Sequence, residues 1–294
     1  MADLALAVDI GGTKMAAGLV GLDGSLLERA EVPTRGGPAA EGSGELLWRD
    51  LAGLVERVAG GAGDRLVVCG AGCGGPMSPG GSEVSPLNIE AWRGFPLRAR
   101  LAELTGLPTF VDNDAKALAL GEGWTGAAAG NANYLGMVVS TGVGGGIVLD
   151  GRLLEGRLGN AGHIGHVIVE PDGRACRCGG RGCLEAEASG PAIAATTGQP
   201  PRLAVPEVIE RVGTLVGRAI ASVVNLLDLP LAVVSGSVAL GYGEPFFRSA
   251  QSEMDLRCGL EFARGARVVP GGLGDAGPLI GAAQVGLHGL ERAG

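Results

Sequence analysis

The sequence predicts an α/β protein, and three observations carry that assignment. Short apolar runs closed by glycine alternate along the chain with stretches whose apolar residues recur at helical spacing. A strand–turn–strand device containing Thr and Gly occurs twice, at DIGGTK (9–14) and STGVGGG (140–146). Composition allows a sizeable core: 46% of the 294 residues are apolar and 18% are charged, a balance that argues against disorder.

The elements follow in order. LALAVDI (4–10) reads as a buried strand stopped by Gly11 and Gly12. The next two apolar runs are joined by LDGS, and Asp23-Gly24 supplies a hairpin turn. Residues 44–60 have helical periodicity, 65–72 form a strand ending in glycines, and 95–106 form a helix. PTFVDND (108–114) is a strand that runs into the helix AKALALGEGWTG. Residues 133–156 repeat the shape of the N-terminus, with a Thr-Gly turn and a second hairpin at Asp150-Gly151. A long helix over 206–228 precedes the strand 229–237.

The formal net charge is −8 and no basic block occurs, which argues against a nucleic-acid surface. Hydrophobic runs are too short and too interrupted to cross a membrane. The first residues, MADLALAVDIGG, lack the basic start and cleavage site of a signal peptide, so a cytoplasmic, reducing location is expected.

In such a compartment, clustered cysteines more often hold metal than form disulfides. Three of the six cysteines fall in CRCGGRGCL (176–184), and two of the three histidines, His163 and His166, lie just upstream in GHIGH. His166, Cys176, Cys178 and Cys183 supply one nitrogen and three thiolates, a closed tetrahedral set for structural Zn²⁺. Gly179, Gly180 and Gly182 allow the backbone to curl around the ion. Cys69, Cys73 and Cys258 lack such company and read as core residues.

The duplicated turns carry the second chemical signal. Each offers backbone N–H groups and a hydroxyl at a hairpin tip, a combination that can cradle phosphates. Asp9 ends its strand at the same place, where a carboxylate would hold Mg²⁺ directly or through water. Neither segment is a P-loop, which requires GxxxxGK[ST] before a helix.

LAVDIGGTKMAAGLV, FVDNDAKALALGE, VVSTGVGGGIVLDGRLLEG and GHIGHVIVEPDGRACRCGGRGCLEAEASG together resemble the ROK family of repressors, uncharacterised reading frames and sugar kinases. The resemblance runs from residue 4 to about 285. It implies a two-lobed, actin-like (ribonuclease-H-like) fold whose inter-lobe cleft brings ATP and sugar together, and a zinc-pinned loop. Residues 1–112, joined by a C-terminal helix over 278–294, would form the N-terminal lobe, and 113–277 the C-terminal lobe. It further implies a homodimer. The activity implied is ATP- and Mg²⁺-dependent phosphorylation of the 6-hydroxyl of a hexose or N-acetylhexosamine.

By the same resemblance, Asp114 is the catalytic base and Asn113 a sugar-binding amide. The physics agrees for Asp114, because a carboxylate ending a strand and opening a helix is placed to accept a hydroxyl proton. Asp112 is the competing carboxylate, and strand alternation would put it on the face of Asp114. Gly75, Asn88, His163, His166 and Glu185 complete the implied sugar site, with His166 giving one ring nitrogen to zinc and the other to sugar. Gly11, Gly12, Thr13 and Lys14, Thr141, Gly142 and Gly144, and Gly236 and Ser237 form the implied nucleotide site, with Asp9 for the metal.

Four departures from the family pattern stand out. His163 occupies a position where hexokinase-type members carry glutamate, and some N-acetylmannosamine kinases of the family share the histidine. The loop usually reading TPGPVD is CGGPMS (73–78), and NDAN is NDAK, placing Lys116 two residues beyond the base. The segment between Ser189 and Pro206 is short beside the nucleotide site. The rival reading is a sugar-responsive sensor or regulator of the same family. A regulator needs a helix-turn-helix ahead of the first lobe, whereas the first core strand begins at Leu4.

Overall fold

The computed structural model describes residues 2–35 and 42–293. The chain divides into two compact units: Met1–Thr125, Glu155–Ala161 and Asp275–Gly294 form the first, and Gly126–Leu154 and Gly162–Gly274 the second. The division falls later than the expected 112/113, because helix α3 (Asp114–Trp124) packs on the C-terminal helix α9 (Gly277–Ala293) of the first unit.

The first unit is built on a mixed sheet in the order β3-β2-β1-β4-β5. Strands β1 (Leu4–Ile10), β4 (Leu66–Cys73) and β5 (Thr109–Asn113) run parallel, and β2 (Lys14–Gly21) and β3 (Leu26–Pro33) complete an antiparallel meander. The turn between β2 and β3 closes as the sequence indicates: Gly24 takes φ +85°, and the Asp23 carboxylate accepts from the N–H and hydroxyl of Ser25. Alternation in β1 sorts its side chains by size. Leu4, Leu6, Val8 and Ile10 face helices α1 (Ser43–Ala59) and α2 (Leu97–Thr105), within one apolar cluster. Ala5 and Ala7 face α9, in a second cluster of small residues with Ala282 and Ala283. Asp9 continues this small-residue row.

The second unit repeats the topology, in the order β10-β9-β6-β7-β8. Here β6 (Tyr134–Val139), β9 (Leu231–Ser235) and β10 (Arg267–Pro270) are parallel, with β7 (Val143–Leu149) and the two-residue β8 (Arg152–Leu153) completing the meander. Its core packs the sheet against the long helix α6 (Pro206–Leu227) and α8 (Glu244–Arg257). Three short helices, α4 (Leu184–Ala188), α5 (Gly190–Thr197) and α7 (Ser237–Tyr242), lie near the strand ends. The duplication legible in 9–14 and 140–146 is therefore a duplication of whole sheets. No helix among the described residues is long and apolar enough to cross a membrane.

Candidate functional site

The expected site residues fall into two groups, one in each unit. In the first unit they gather at the carboxyl ends of the parallel strands, where open α/β sheets bind ligands. Asp9, Gly72 and Asp112 stand in one register row across β1, β4 and β5. Gly72 leaves the row open: a Cβ there would lie 3.5 Å from the Asp114 Cα and 3.8 Å from Asp9 Oδ1. Asp9 and Asp114 consequently share one pocket of negative charge. Burial pushes the Asp9 carboxyl up to about 7, and the Asp114 charge adds to the shift against the opposing pull of Lys14 and Arg29. The buried Cys73 thiol beside them is pushed well up, first by burial and then by both carboxylates.

Asp112 belongs to a different set. Lys116 Nζ lies 2.9 Å from Asp112 Oδ1 and 2.6 Å from Glu155 Oε2. Burial raises the Asp112 carboxyl, with Lys116 opposing. Burial also works to raise Glu155, but Lys116 and Arg292 outweigh it and hold the group below its ordinary value. The shared face expected for Asp112 and Asp114 does not organise their charges, because Asp114 has already entered the helix. Asn113 caps α3: its Oδ1 accepts the Ala115 N–H at 3.0 Å, and the Asp114 carboxylate accepts the same N–H at 2.8 Å.

The remaining first-unit residues surround this centre. Gly11, Gly12 and Thr13 form the β1–β2 turn, closed by the Gly11 N–H on the Lys14 carbonyl at 3.0 Å. A Cβ on Gly12 would sit 2.7 Å from the Asn88 Cβ, so Asn88 lies directly against the DIGGTK turn. Lys14 is an exposed end of β2, 3.2 Å from Glu31. Gly75 lies in the loop after β4.

In the second unit, Thr141 and Gly142 occupy the β6–β7 turn, whereas Gly144 is already in strand β7, opposite Val138. The Ser237 hydroxyl meets that of Ser140 at 2.9 Å, which ties the turn after β9 to the turn after β6. Gly236 makes this possible, with φ +100° and a Cβ position only 2.4 Å from the Val139 carbonyl. Glu185, in the first turn of α4, accepts the Val143 N–H through Oε2 at 3.0 Å. GHIGH lies flat on β7, since Cβ atoms on Gly162 and Gly165 would meet the Gly145 and Val143 carbonyls at 2.4 and 2.1 Å. His163 is exposed, with its ring centroid 6.0 Å from that of His166.

The cysteine loop brings its four expected ligands together. The ligand atoms of His166, Cys176, Cys178 and Cys183 all lie within 4.8 Å of one another. Cys176 Sγ lies 3.8 Å from His166 Nδ1, and Cys178 Sγ lies 3.7 Å from Cys183 Sγ. Zn–S bonds of about 2.3 Å at tetrahedral angles separate sulfurs by about 3.8 Å, so the set fits a four-coordinate zinc. Nδ1 faces the sulfurs, which leaves Nε2 on the far edge of the ring. The loop is held from behind as well: the buried Glu187 carboxylate accepts the Arg174 N–H at 2.7 Å, and Arg218 donates to the Val169 carbonyl at 2.8 Å. Cys69, Cys73 and Cys258 are buried core residues.

Residues 5–287 match the ROK family. The chain belongs to the ROK family. It is 39% identical over 256 residues to an N-acetylmannosamine kinase of Escherichia fergusonii, covering 81% of this chain and 84% of that protein. Among solved structures, the ROK hexokinase of Thermus thermophilus has a TM-score of 0.83 at 34% identity, over 98% of this chain and 99% of that one. A ROK glucokinase from Streptomyces griseus, solved with glucose and AMPPNP, has a TM-score of 0.81 at 30% identity, over 97% of this chain and 99% of that one. These likenesses place the two units in the actin-like fold. Sequence reasoning about this ROK chain passed over Gly72, Ser140, Glu155 and Glu187; the first two were visible only as ordinary strand-end residues, and the others act through partners far away in sequence.

The raised Asp9 carboxyl has a consequence for stability. Between about 4 and 7 the native protein holds a proton that the unfolded chain releases, so stability is highest at the acid end and falls as pH rises through 7. In magnesium-free buffer, Asp9→Asn should match wild type near pH 4 or below and exceed it near pH 8 by roughly 2–4 kcal/mol in denaturant melts. A wild-type advantage at pH 8 would show that the carboxylate is not destabilised by its surroundings.

Proposed function

We propose that the protein is a sugar kinase that transfers the γ-phosphoryl group of ATP to the 6-hydroxyl of a hexose or N-acetylhexosamine, with N-acetylmannosamine favoured. The observation that carries this reading is the separation of the two neighbouring carboxylates. Asp112 is held by Lys116, whereas Asp114 opens α3 beside Asp9, where its charge helps raise the Asp9 carboxyl. Phosphoryl transfer to an alcohol asks for little else in covalent chemistry: a carboxylate that accepts the hydroxyl proton, and groups that hold the reactants in line.

Each remaining residue then takes a binding role. The Asn113 amide nitrogen, Asn88, Glu185 and the outer nitrogen of His166 hydrogen-bond sugar hydroxyls. Backbone and hydroxyl groups at Gly11–Thr13, Thr141–Gly142 and Gly236–Ser237 hold the nucleotide phosphates, with Lys14 adding positive charge. Asp9 offers a hard oxygen donor beside a second carboxylate, the chemistry that suits Mg²⁺. When bound, magnesium neutralises charge on the transferring phosphates. Zinc at His166, Cys176, Cys178 and Cys183 has no open position and fixes the loop and the imidazole.

The N-acetylmannosamine preference rests on the identity of the curated relatives and on His163. A neutral imidazole donates from one nitrogen, as to an N-acetyl carbonyl, and accepts at the other, whereas a carboxylate only accepts.

A coupled assay over glucose, mannose, N-acetylglucosamine and N-acetylmannosamine tests the activity; a sensor would bind a sugar and turn none over. Asp114→Asn should keep sugar affinity while kcat drops by about 10² or more, and a loss under tenfold at saturating sugar would remove Asp114 as the base. In His163→Glu, the kcat/KM ratio of N-acetylmannosamine to glucose should fall by roughly tenfold; an unchanged ratio takes His163 out of sugar selection. Purified protein should carry about one zinc per chain, with Cys176, Cys178 and Cys183 protected from thiol reagents. Metal-free protein of undiminished stability and sugar affinity would rule out the structural metal.

A further inference from the structure

Lys116 is a charged side chain only 1% exposed, and neither the proton transfer nor the binding roles above account for it. An ammonium has three donors and no acceptor, and buried ammonium groups persist only where those donors are met. Here three acceptors meet them: Asp112 Oδ1 at 2.9 Å, Glu155 Oε2 at 2.6 Å and the Gly159 carbonyl at 3.1 Å. Asp112 is the penultimate residue of β5, next to the capping Asn113. Glu155 and Gly159 belong to the seven-residue strap Glu155–Ala161, which the chain contributes to the first unit between two segments of the second.

The strap is tied at further points. Arg292 of α9 reaches the other Glu155 oxygen at 3.0 Å, and the Ala161 N–H closes on the Glu155 carbonyl at 3.0 Å. At the far end of the strap, Asn160 addresses the backbone of Met77 with both ends of its amide. Its Nδ2 donates to the Met77 carbonyl at 3.1 Å, and its Oδ1 receives the Met77 N–H at 3.4 Å. Met77 lies in CGGPMS, the loop after β4 that departs from the family's usual sequence. A continuous chain of contacts thus runs from the strand end carrying Asp112 and Asn113, through Lys116 and the strap, to loop 73–78.

We propose that Lys116 is a positioning residue for the sugar: by holding Asp112, Glu155 and the Gly159 carbonyl together it fixes the strap, and through Asn160 the strap sets the position of the Met77 backbone in loop 73–78. The proposal rests on the sugar-kinase reading and on Gly75, in that loop, being one of the sugar-site residues the family resemblance implies. Lys116 itself touches neither sugar nor nucleotide. Its loss therefore weakens sugar binding and leaves the proton transfer at Asp114 in place.

The test compares Lys116→Met, Asn160→Ala and wild type by steady-state kinetics on the preferred sugar and by amide hydrogen exchange. Because Lys116→Met strands Asp112, a Lys116→Met/Asp112→Asn protein serves if the single variant does not fold. Asn160→Ala breaks the grip on Met77 without touching the buried charges. The expected result is a sugar KM raised about tenfold in each variant, kcat within about threefold of wild type, and faster exchange at 75–78 in both, with exchange at 155–161 also faster in the lysine variants. A stability loss with unchanged KM and unchanged exchange at 75–78 overturns the proposal and leaves Lys116 a packing residue. If wild type phosphorylates no sugar, the kinase reading fails on its own, and exchange at 75–78 still decides whether Lys116 governs that loop.

Discussion

The constraint on which the rest depends is direct contact of backbone with backbone, which this chain achieves with glycine. Gly70 and Gly286 bring α9 down onto β4: a Cβ on Gly70 would lie 2.0 Å from the Ala282 carbonyl. Gly281 brings α9 against α3, with its Cβ position 2.3 Å from the Ala117 carbonyl. These approaches hold the first turn of α3, and therefore Asp114, over the Asp9–Gly72 row. The composition reflects this mode of packing, with 56 glycines and only 3% aromatic residues. Tight helix–sheet contact replaces bulky side chains, and it fixes the distance between two carboxylates better than a mobile side-chain layer could.

That precision works against stability at the site. Burial first, and the neighbouring Asp114 charge second, push the Asp9 carboxyl upward, so the site favours a proton or a cation there. Lys116 resolves the same problem for Asp112 with an internal cation. The two neighbouring aspartates therefore differ in what remains for chemistry. Asp112 is paired with a lysine that the fold supplies, whereas Asp114 stands beside the raised carboxyl of Asp9.

Much of this was legible in the sequence because it depends on local patterns. The alternation in LALAVDI, the Asp23-Gly24 turn, the strand-to-helix junction at Asn113–Asp114 and the spacing of His166, Cys176, Cys178 and Cys183 each involve short range, and each expectation meets its counterpart in the structure. The missed features are long-range. Nothing near Lys116 in the sequence announces Glu155, and nothing near Glu155 announces Arg292; their pairing is set by where the chain returns to the first unit. The compact units part after Thr125 rather than after Asp112, since α3 follows β5 without a break and packs on α9. Helix α8 and strand β10 were not foreseen: α8 carries only Phe246, Ala250 and Met254 as buried residues, too sparse a stripe to stand out.

The two sheets share one strand order yet end in different chemistry. At the carboxyl ends of the first sheet's parallel strands stand Asp9, Asp112 and then Asp114. At the corresponding end of the second stand Ser140 and Thr141 after β6, and Gly236 and Ser237 after β9, with the serine hydroxyls joined at 2.9 Å. A cluster of carboxylates repels phosphate unless a cation intervenes, whereas hydroxyls and backbone N–H groups receive it without one. The strand-end positions thus distinguish two sheets of one strand order: carboxylates in the first, hydroxyls and glycine in the second. The glycines beside these residues differ too: at Gly236, with φ +100°, a Cβ would meet the Val139 carbonyl at 2.4 Å and a side chain is excluded, whereas a Cβ at Gly72 would meet its nearest neighbours at ordinary contact distances of 3.4–3.8 Å.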